Sequence, residues 1–199
     1  KGIIFDLGSV FFDIDWIKID EKMREKFGIS TLIRDNYGEE INNLYDKSLR
    51  GEITLKNVFE KMCEDKGLDV NEVLDYYRKL YEKYKTLNEK VLKLIKNLED
   101  KLKIVCLTDT NDVHFQVHEE QGHLESFDFV FPSFKIGKMK KDEGIFSKIL
   151  KKLKLKPEEV VFIDDSDKNI KNAESEGVNI IKYQNYEQLN KELKNLEIL

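Results

Sequence analysis

Three acidic positions in this chain each end an uninterrupted apolar run. Asp6 follows Gly2-Ile3-Ile4-Phe5, Asp109 follows Lys103-Ile104-Val105-Cys106-Leu107-Thr108, and Asp164-Asp165 follow Val160-Val161-Phe162-Ile163. Such a run, without polar alternation, is the pattern of a strand buried on both faces, and such strands occur mainly in parallel sheets covered by helices. In open sheets of that kind the ligand crevice lies beyond the carboxyl ends of the strands. The three exits are therefore expected to meet in one pocket, which brings the carboxylates of Asp6, Asp164 and Asp165 together. Like charges at close range need protonation or a cation. All-oxygen donors suit a hard ion such as Mg²⁺, which keeps several waters and takes up a substrate phosphate oxygen. The competing reading of Asp164-Asp165 is a helix cap beside a solvated neighbour.

The same exits offer what an anionic substrate needs. Thr108 supplies a hydroxyl, and Asp109-Thr110-Asn111 places backbone N–H groups at a helix start, a ready anion site. Lys140 can add a fixed positive charge. A carboxylate attacking a phosphate dianion requires such help, because both partners are negative.

The elements that must position these residues can be read from the spacing. From about Trp16 to Tyr84 apolar residues recur at three- and four-residue intervals. Helices are expected over Ile17 to Phe27, Asp35 to Leu49, Leu55 to Lys66 and Val70 to Tyr84, the third capped by Thr54. Leu87 to Leu98 reads as a further amphipathic helix. Next come the strand at Lys103 to Leu107, a helix over Asp112 to Gln121, a short apolar stretch Phe127 to Phe131 and a lysine-rich loop. A helix over Asp142 to Leu153, the strand Val160 to Ile163, a helix over Asp167 to Glu176 ended by a left-handed Gly177, the strand Val178 to Lys182 and a closing helix complete the chain. This alternation argues an α/β fold with a doubly wound parallel sheet, 1–15 and 85–199, carrying an inserted helical domain, 16–84, that reads as a cap over the pocket. Within that insertion Tyr76, Tyr77, Tyr81 and Tyr84 are expected to divide between packing and exposure.

Composition narrows the function. The chain has 199 residues, 34 basic and 39 acidic, spread without a long basic tract, so no nucleic-acid partner is expected despite the local lysines from Lys135 to Lys141. Those lysines suit a phosphate-bearing small molecule equally well. Cys63 and Cys106 are expected to be free buried thiols of a reducing compartment. No apolar segment is long enough to span a bilayer, and the first apolar run is too short for a signal peptide, so a cytoplasmic protein without a membrane partner is expected.

Taken together, Phe5-Asp6-Leu7-Gly8-Ser9-Val10, Leu107-Thr108, Lys140 and Asp164-Asp165 with Asn169 resemble the four ordered motifs of the haloacid dehalogenase-like superfamily. Asp13-Ile14-Asp15, Arg50-Gly51-Glu52-Ile53 and Thr108-Asp109-Thr110-Asn111 with His114 extend the likeness. So does Phe162-Ile163-Asp164-Asp165-Ser166-Asp167-Lys168-Asn169-Ile170, and within the superfamily the chain is similar to phosphatases of sugar phosphates such as α-D-glucose 1-phosphate. The resemblance implies a Rossmann-like core and Asp6 as a nucleophile forming an aspartyl-phosphate. Thr108 and Lys140 would hold the phosphoryl group, and Mg²⁺ would be bound by Asp6, the Gly8 carbonyl and Asp165, with Asp164 behind or through water. Asn169 would orient Lys140 or the metal's surroundings, and the insertion would be a mobile cap that excludes water.

The chain departs from the family pattern in three places. The second Asp common two residues after the nucleophile is Gly8, so no side-chain proton is available there and a good leaving group is favoured. The lysine motif reads Lys140-Lys141, with Lys138 nearby, so Lys138 or Lys141 remains an alternative. Ser9 stands where a second glycine is frequent, an exchange expected to matter little. His114 and His118 share a helix face and His123 follows, but no third ligand completes a zinc site, although His114 matches a family position near the pocket. Arg50 either reaches substrate or lies on the surface. The leading reading is a Mg²⁺-dependent phosphatase of a small phosphorylated metabolite, monomer or homodimer. The alternatives are a metal-independent 2-haloacid dehalogenase and a non-catalytic binding protein on the same scaffold.

Overall fold

The computed structural model describes residues 1–98 and 101–199. The chain opens with β1 (Gly2–Phe5) and β2 (Phe12–Ile14), then runs through five helices: α1 (Trp16–Phe27), α2 (Ile33–Asn36), α3 (Glu39–Leu49), α4 (Leu55–Cys63) and α5 (Val70–Lys83). It continues through β3 (Lys85–Leu87), α6 (Glu89–Lys96), β4 (Lys103–Thr108), α7 (Asp112–Glu120), β5 (Phe129–Pro132), α8 (Ser133–Ile136) and α9 (Ile145–Leu153). A single 3₁₀ turn precedes β6 (Val160–Asp164), followed by α10 (Asp167–Ser175), β7 (Asn179–Lys182) and α11 (Tyr186–Asn195).

Five parallel strands form the central sheet in the order β5-β4-β1-β6-β7. β1 lies in the middle, its residues Gly2 to Phe5 paired with Lys103 to Cys106 on one side and Val160 to Ile163 on the other. Side chains alternate across the pleat into two cores. Ile3, Phe5, Ile104, Cys106 and Ile163 pack with Val91, Leu94 and Ile95 of α6 and Leu189 and Leu193 of α11. On the opposite face Ile4, Val105, Leu107 and Phe162 meet Ile145, Phe146, Ile149 and Leu150 of α9 and Ala173 of α10. Burial on both faces is why the strands read as continuous apolar runs. The result is an α/β Rossmann-like core, as the alternation predicts.

A third core belongs to the insertion: Ile19, Met23, Leu55, Val58, Phe59, Met62, Val73, Tyr77 and Leu80 pack together, joined by Val117 of α7. Its two connections to the sheet are β2 and β3, which pair antiparallel, Phe12 with Leu87, Asp13 with Thr86 and Ile14 with Lys85. This ribbon is invisible to sequence periodicity, because three residues are too few to establish an alternation. Two helices also differ from expectation. The stretch Asp35 to Leu49 is broken at Tyr37-Gly38, where Tyr37 is extended and Gly38 caps α3. The helix expected from Asp142 starts at Ile145, because Gly144 takes a left-handed φ of 76° and Asp142 is committed elsewhere. Thr54 caps α4 reciprocally with Asn57, and Gly177 is left-handed at φ 80°. Both cysteines are buried free thiols. Among the described residues no helix is long and apolar enough to cross a membrane.

Candidate active site

The exits of β1, β4 and β6 converge on one residue, Lys140, the first and last on its ammonium group. Lys140 Nζ lies 2.7 Å from Asp6 Oδ2 and 2.6 Å from Asp164 Oδ2, with all three side chains buried. Lys138 and Lys141 are excluded from this place: Lys138 Nζ donates to the Glu143 carbonyl, and Lys141 Nζ lies 3.4 Å from Asp46. The Lys140 backbone is clamped from two elements. Its N–H donates to Asp109 Oδ1 at 2.8 Å, and its carbonyl accepts from Asn172 Nδ2 at 2.8 Å. Asn172, on α10, has no signal in the sequence, since an Asn at one helical position looks like any other.

Electrostatics follow from this geometry. Burial pushes the Asp6 carboxyl up to about 7, with Lys140 opposing and Asp164 reinforcing the shift. Burial alone would weaken the Lys140 ammonium, but Asp6 and Asp164 reverse that and hold its pKa above the ordinary lysine range. Asp109 is likewise raised by burial, against the pull of Lys140. Asp6, Asp164 and Asp165 each offer a carboxylate oxygen within 4.8 Å of the others, the first two buried and Asp165 exposed. Three hard oxygen donors, one open to solvent, fit Mg²⁺ with retained water. Asp164 is fixed by Ser166 N–H at 2.7 Å and by Asn169 Nδ2 at 3.1 and 3.2 Å. Asn169 therefore acts on Asp164 rather than on Lys140.

In the loop after β1, Asp6 Oδ1 accepts from the Leu7 N–H at 2.6 Å. Ser9 sits at φ 59°, a left-handed conformation that costs a side-chain-bearing residue roughly 1–2 kcal/mol. That explains why glycine suits this position.

The β4 exit differs in detail from the anticipated anion cradle. Thr108 is buried at the strand end. The Thr110 N–H is already bound to Ser133 Oγ at 2.9 Å. Asn111 is spent on α7, accepting from the His114 N–H through Oδ1 at 3.0 Å and approaching His114 Nδ1 through Nδ2 at 3.2 Å. Asn111 and His114 thus buttress the loop. His114 Nε2 lies 2.7 Å from the Tyr77 hydroxyl, and His118 Nε2 lies 2.9 Å from that of Tyr81. No zinc-ligand geometry joins them among the described residues.

Burial first, and the nearby Lys85 charge second, push His114 down to about 3 and His118 down to about 2. Both are neutral at pH 7, whereas unfolded histidine titrates near 6.5. Below that value the unfolded chain takes up protons that the folded chain refuses. The stabilisation is complete above pH 6.5 and lost as pH falls toward the folded values. At pH 5 the loss is about 2 kcal/mol for each histidine. Because His123 is lowered in the same way, to about 4, and Asp6 is shifted in the opposite sense, the test is a difference: between pH 7 and 5 His118→Leu is expected to lose about 2 kcal/mol less than the native protein, roughly 5 °C in thermal midpoint. Equal pH profiles for the two proteins would refute the assignment.

The insertion docks directly on the lysine loop. Arg50 makes a two-nitrogen contact with Asp142, 3.1 Å from Nε and 2.8 Å from Nη2, while Asp142 also accepts from the Met139 N–H. Arg50 is thus engaged by the sheet domain. Next to it Gly51, at φ 72°, approaches so closely that a Cβ would stand 1.9 Å from the Phe134 carbonyl oxygen. Gly51→Ala must push α3 away from α8. Since displacements of about 1 Å can cost 10²-fold in rate, turnover is expected to fall by about that factor while circular dichroism stays native-like. An unchanged rate would show that this contact does not set the working geometry.

A profile of haloacid dehalogenase-like hydrolases matches residues 1–177. Among curated proteins, a drimenol cyclase of Aspergillus calidoustus is 26% identical over 98% of this chain and 36% of its own length. The chain spans about a third or less of the curated relatives it matches. Among solved structures, a HAD family enzyme of Bacteroides thetaiotaomicron, complexed with magnesium and inorganic phosphate, superposes with a TM-score of 0.78 at 20% identity, over 92% of this chain and 94% of that one. A 2-haloacid dehalogenase of Pseudomonas syringae pv. Tomato reaches 0.66 at 17% identity, over 98% and 99%.

Proposed function

The chain belongs to the haloacid dehalogenase-like hydrolases, and from that membership we propose that it is a Mg²⁺-dependent phosphomonoesterase acting through an aspartyl-phosphate. One observation carries the reading: Lys140 meets Asp6 and Asp164, at two neighbouring strand exits, at 2.6–2.7 Å, with Asp165 close enough to complete an all-oxygen set. Mg²⁺ would be held by Asp6, the Gly8 carbonyl, Asp165 and Asp164, and would neutralise charge between carboxylate and phosphate. Asp6 is the nucleophile. One of its carboxylate oxygens bonds to phosphorus as the bond to the leaving oxygen breaks, and water then releases phosphate and restores Asp6. Thr108 and Lys140 hold the phosphoryl oxygens, while Asp164 and Asn169 keep Lys140 and the ion site aligned. The helical insertion acts as a cap that excludes water from the phospho-enzyme.

Carbon–halogen cleavage is the second reading, favoured by Gly8, which removes the acid a phosphatase commonly uses. The acidic cluster weighs against it, since attack on carbon needs no metal. Hydrolysis of acetyl phosphate and 2-chloropropionate, each with Mg²⁺ and with a chelator, separates the two. Metal-dependent phosphate release supports the phosphatase, whereas metal-independent halide release overturns it. Neither activity in the folded protein would favour a binding role.

A further inference from the structure

Within the insertion lies a cavity of about 170 Å³ whose wall includes Trp16, Tyr45, Leu55, Phe59 and Tyr77, with Thr31, Arg34 and Asp35 as its polar members. The Phe59 and Tyr77 rings are 5.2 Å apart, and Arg34 at the rim is already paired with Asp46 over the Tyr45 ring. The walls are tied to the reaction centre. The Leu55 N–H donates to Asp112 Oδ1 at 2.9 Å, Trp16 begins α1 just beyond β2, and Tyr77 bonds to His114, which Asn111 holds three residues beyond Thr108.

That last chain fixes a proton. Asn111 Oδ1 is taken by the His114 N–H, so Asn111 Nδ2 is the donor to His114 Nδ1. A neutral imidazole then carries its proton on Nε2 and donates to the Tyr77 oxygen. The Tyr77 hydroxyl proton has no acceptor among the described residues, and Tyr77 lines the cavity.

We propose that this cavity seats the leaving group of the phosphate ester and selects a flat, largely apolar ring alcohol of weak basicity, of the aryl phosphate class, with Tyr77 donating to an acceptor on it. The proposal rests on the phosphomonoesterase reading. Size agrees: an apolar cavity of about 150 Å³ accepts a benzene ring. Polarity agrees along the Trp16, Tyr45, Phe59 and Tyr77 rings, against which a hexose hydroxyl would go unpaired at about 1–3 kcal/mol. So does the chemistry. As Asp6 bonds to phosphorus, both electrons of the breaking P–O bond stay on the departing oxygen, and position 8 has no proton to give it. An oxygen stable as its anion, such as a phenolate, meets that condition.

Trp16 is the sole tryptophan of the chain, so its fluorescence reports occupancy independently of turnover. Titration with benzylphosphonate in the presence of Mg²⁺ is expected to change Trp16 emission saturably, and methylphosphonate not to. In Phe59→Leu, a substitution that keeps the wall apolar, the ratio of kcat/KM for phenyl phosphate to that for acetyl phosphate is expected to fall about tenfold, roughly the loss of a good apolar contact. A silent Trp16, an unchanged ratio, or α-D-glucose 1-phosphate turned over faster than phenyl phosphate would overturn the proposal. If neither acetyl nor phenyl phosphate is hydrolysed, the phosphatase reading fails. The Trp16 titration still decides whether the cavity takes a ring.

Discussion

Asp6→Asn removes turnover by about 10⁴-fold or more, the scale of losing a nucleophile, and leaves the fold as stable as before or more so. An amide cannot form the phospho-enzyme. Its single oxygen can keep the Leu7 N–H contact, now made to Oδ1 at 2.6 Å, while Lys140, now 2.7 Å from Oδ2, retains Asp164 as its partner at 2.6 Å. Stability should not suffer, because burial has already pushed the Asp6 carboxyl up to about 7, which means that its charge is held against the preference of its surroundings. Functional sites commonly carry such a cost. Phosphate release and thermal unfolding of the two proteins, measured without metal, test both halves. Retained turnover would remove Asp6 from the chemistry, and a large fall in the midpoint would make it a structural group.

Lys140→Met has the opposite signature, losing both rate and stability. Asp6 and Asp164 would remain buried with no cation between them. Removing one partner of a buried ion pair costs about 3–5 kcal/mol. Added Mg²⁺ should restore more stability to this variant than it adds to the native protein, since the ion then supplies the only charge compensation between the carboxylates. Thermal unfolding across a Mg²⁺ titration measures this. Equal metal responses would mean that Lys140 and the ion do not share the same carboxylates.

Much of the site was legible because its residues stand at strand ends. Asp6, Thr108 and Asp164 follow apolar runs whose register could be anticipated, and a parallel sheet carries such ends to one edge. Lys140 was legible only as one of three neighbours. What singles it out is a backbone held by Asp109 and Asn172, contacts spanning more than thirty residues that no local pattern encodes. Asn111 was read through its backbone N–H at a helix start, and its side chain also caps that helix, a task the same residue type serves there. The β2–β3 ribbon escaped notice for want of length. The Tyr77–His114 contact escaped because i,i+4 spacing in α5 and α7 gives the face of each helix but not what faces it.

The central position of β1 also bears on how the chain reaches its native state. It is the first strand in sequence, yet its partners begin at Lys103 and Val160. Neither neighbour is local, so the loop-closure entropy of the intervening chain must be overcome before β1 gains a single ladder bond. The insertion is contiguous and has its own core, so on refolding it can consolidate while β1 is still an unpaired apolar segment. Until the carboxyl-terminal half collapses around it, the strand that ends at Asp6 is a segment open to pairing with another molecule.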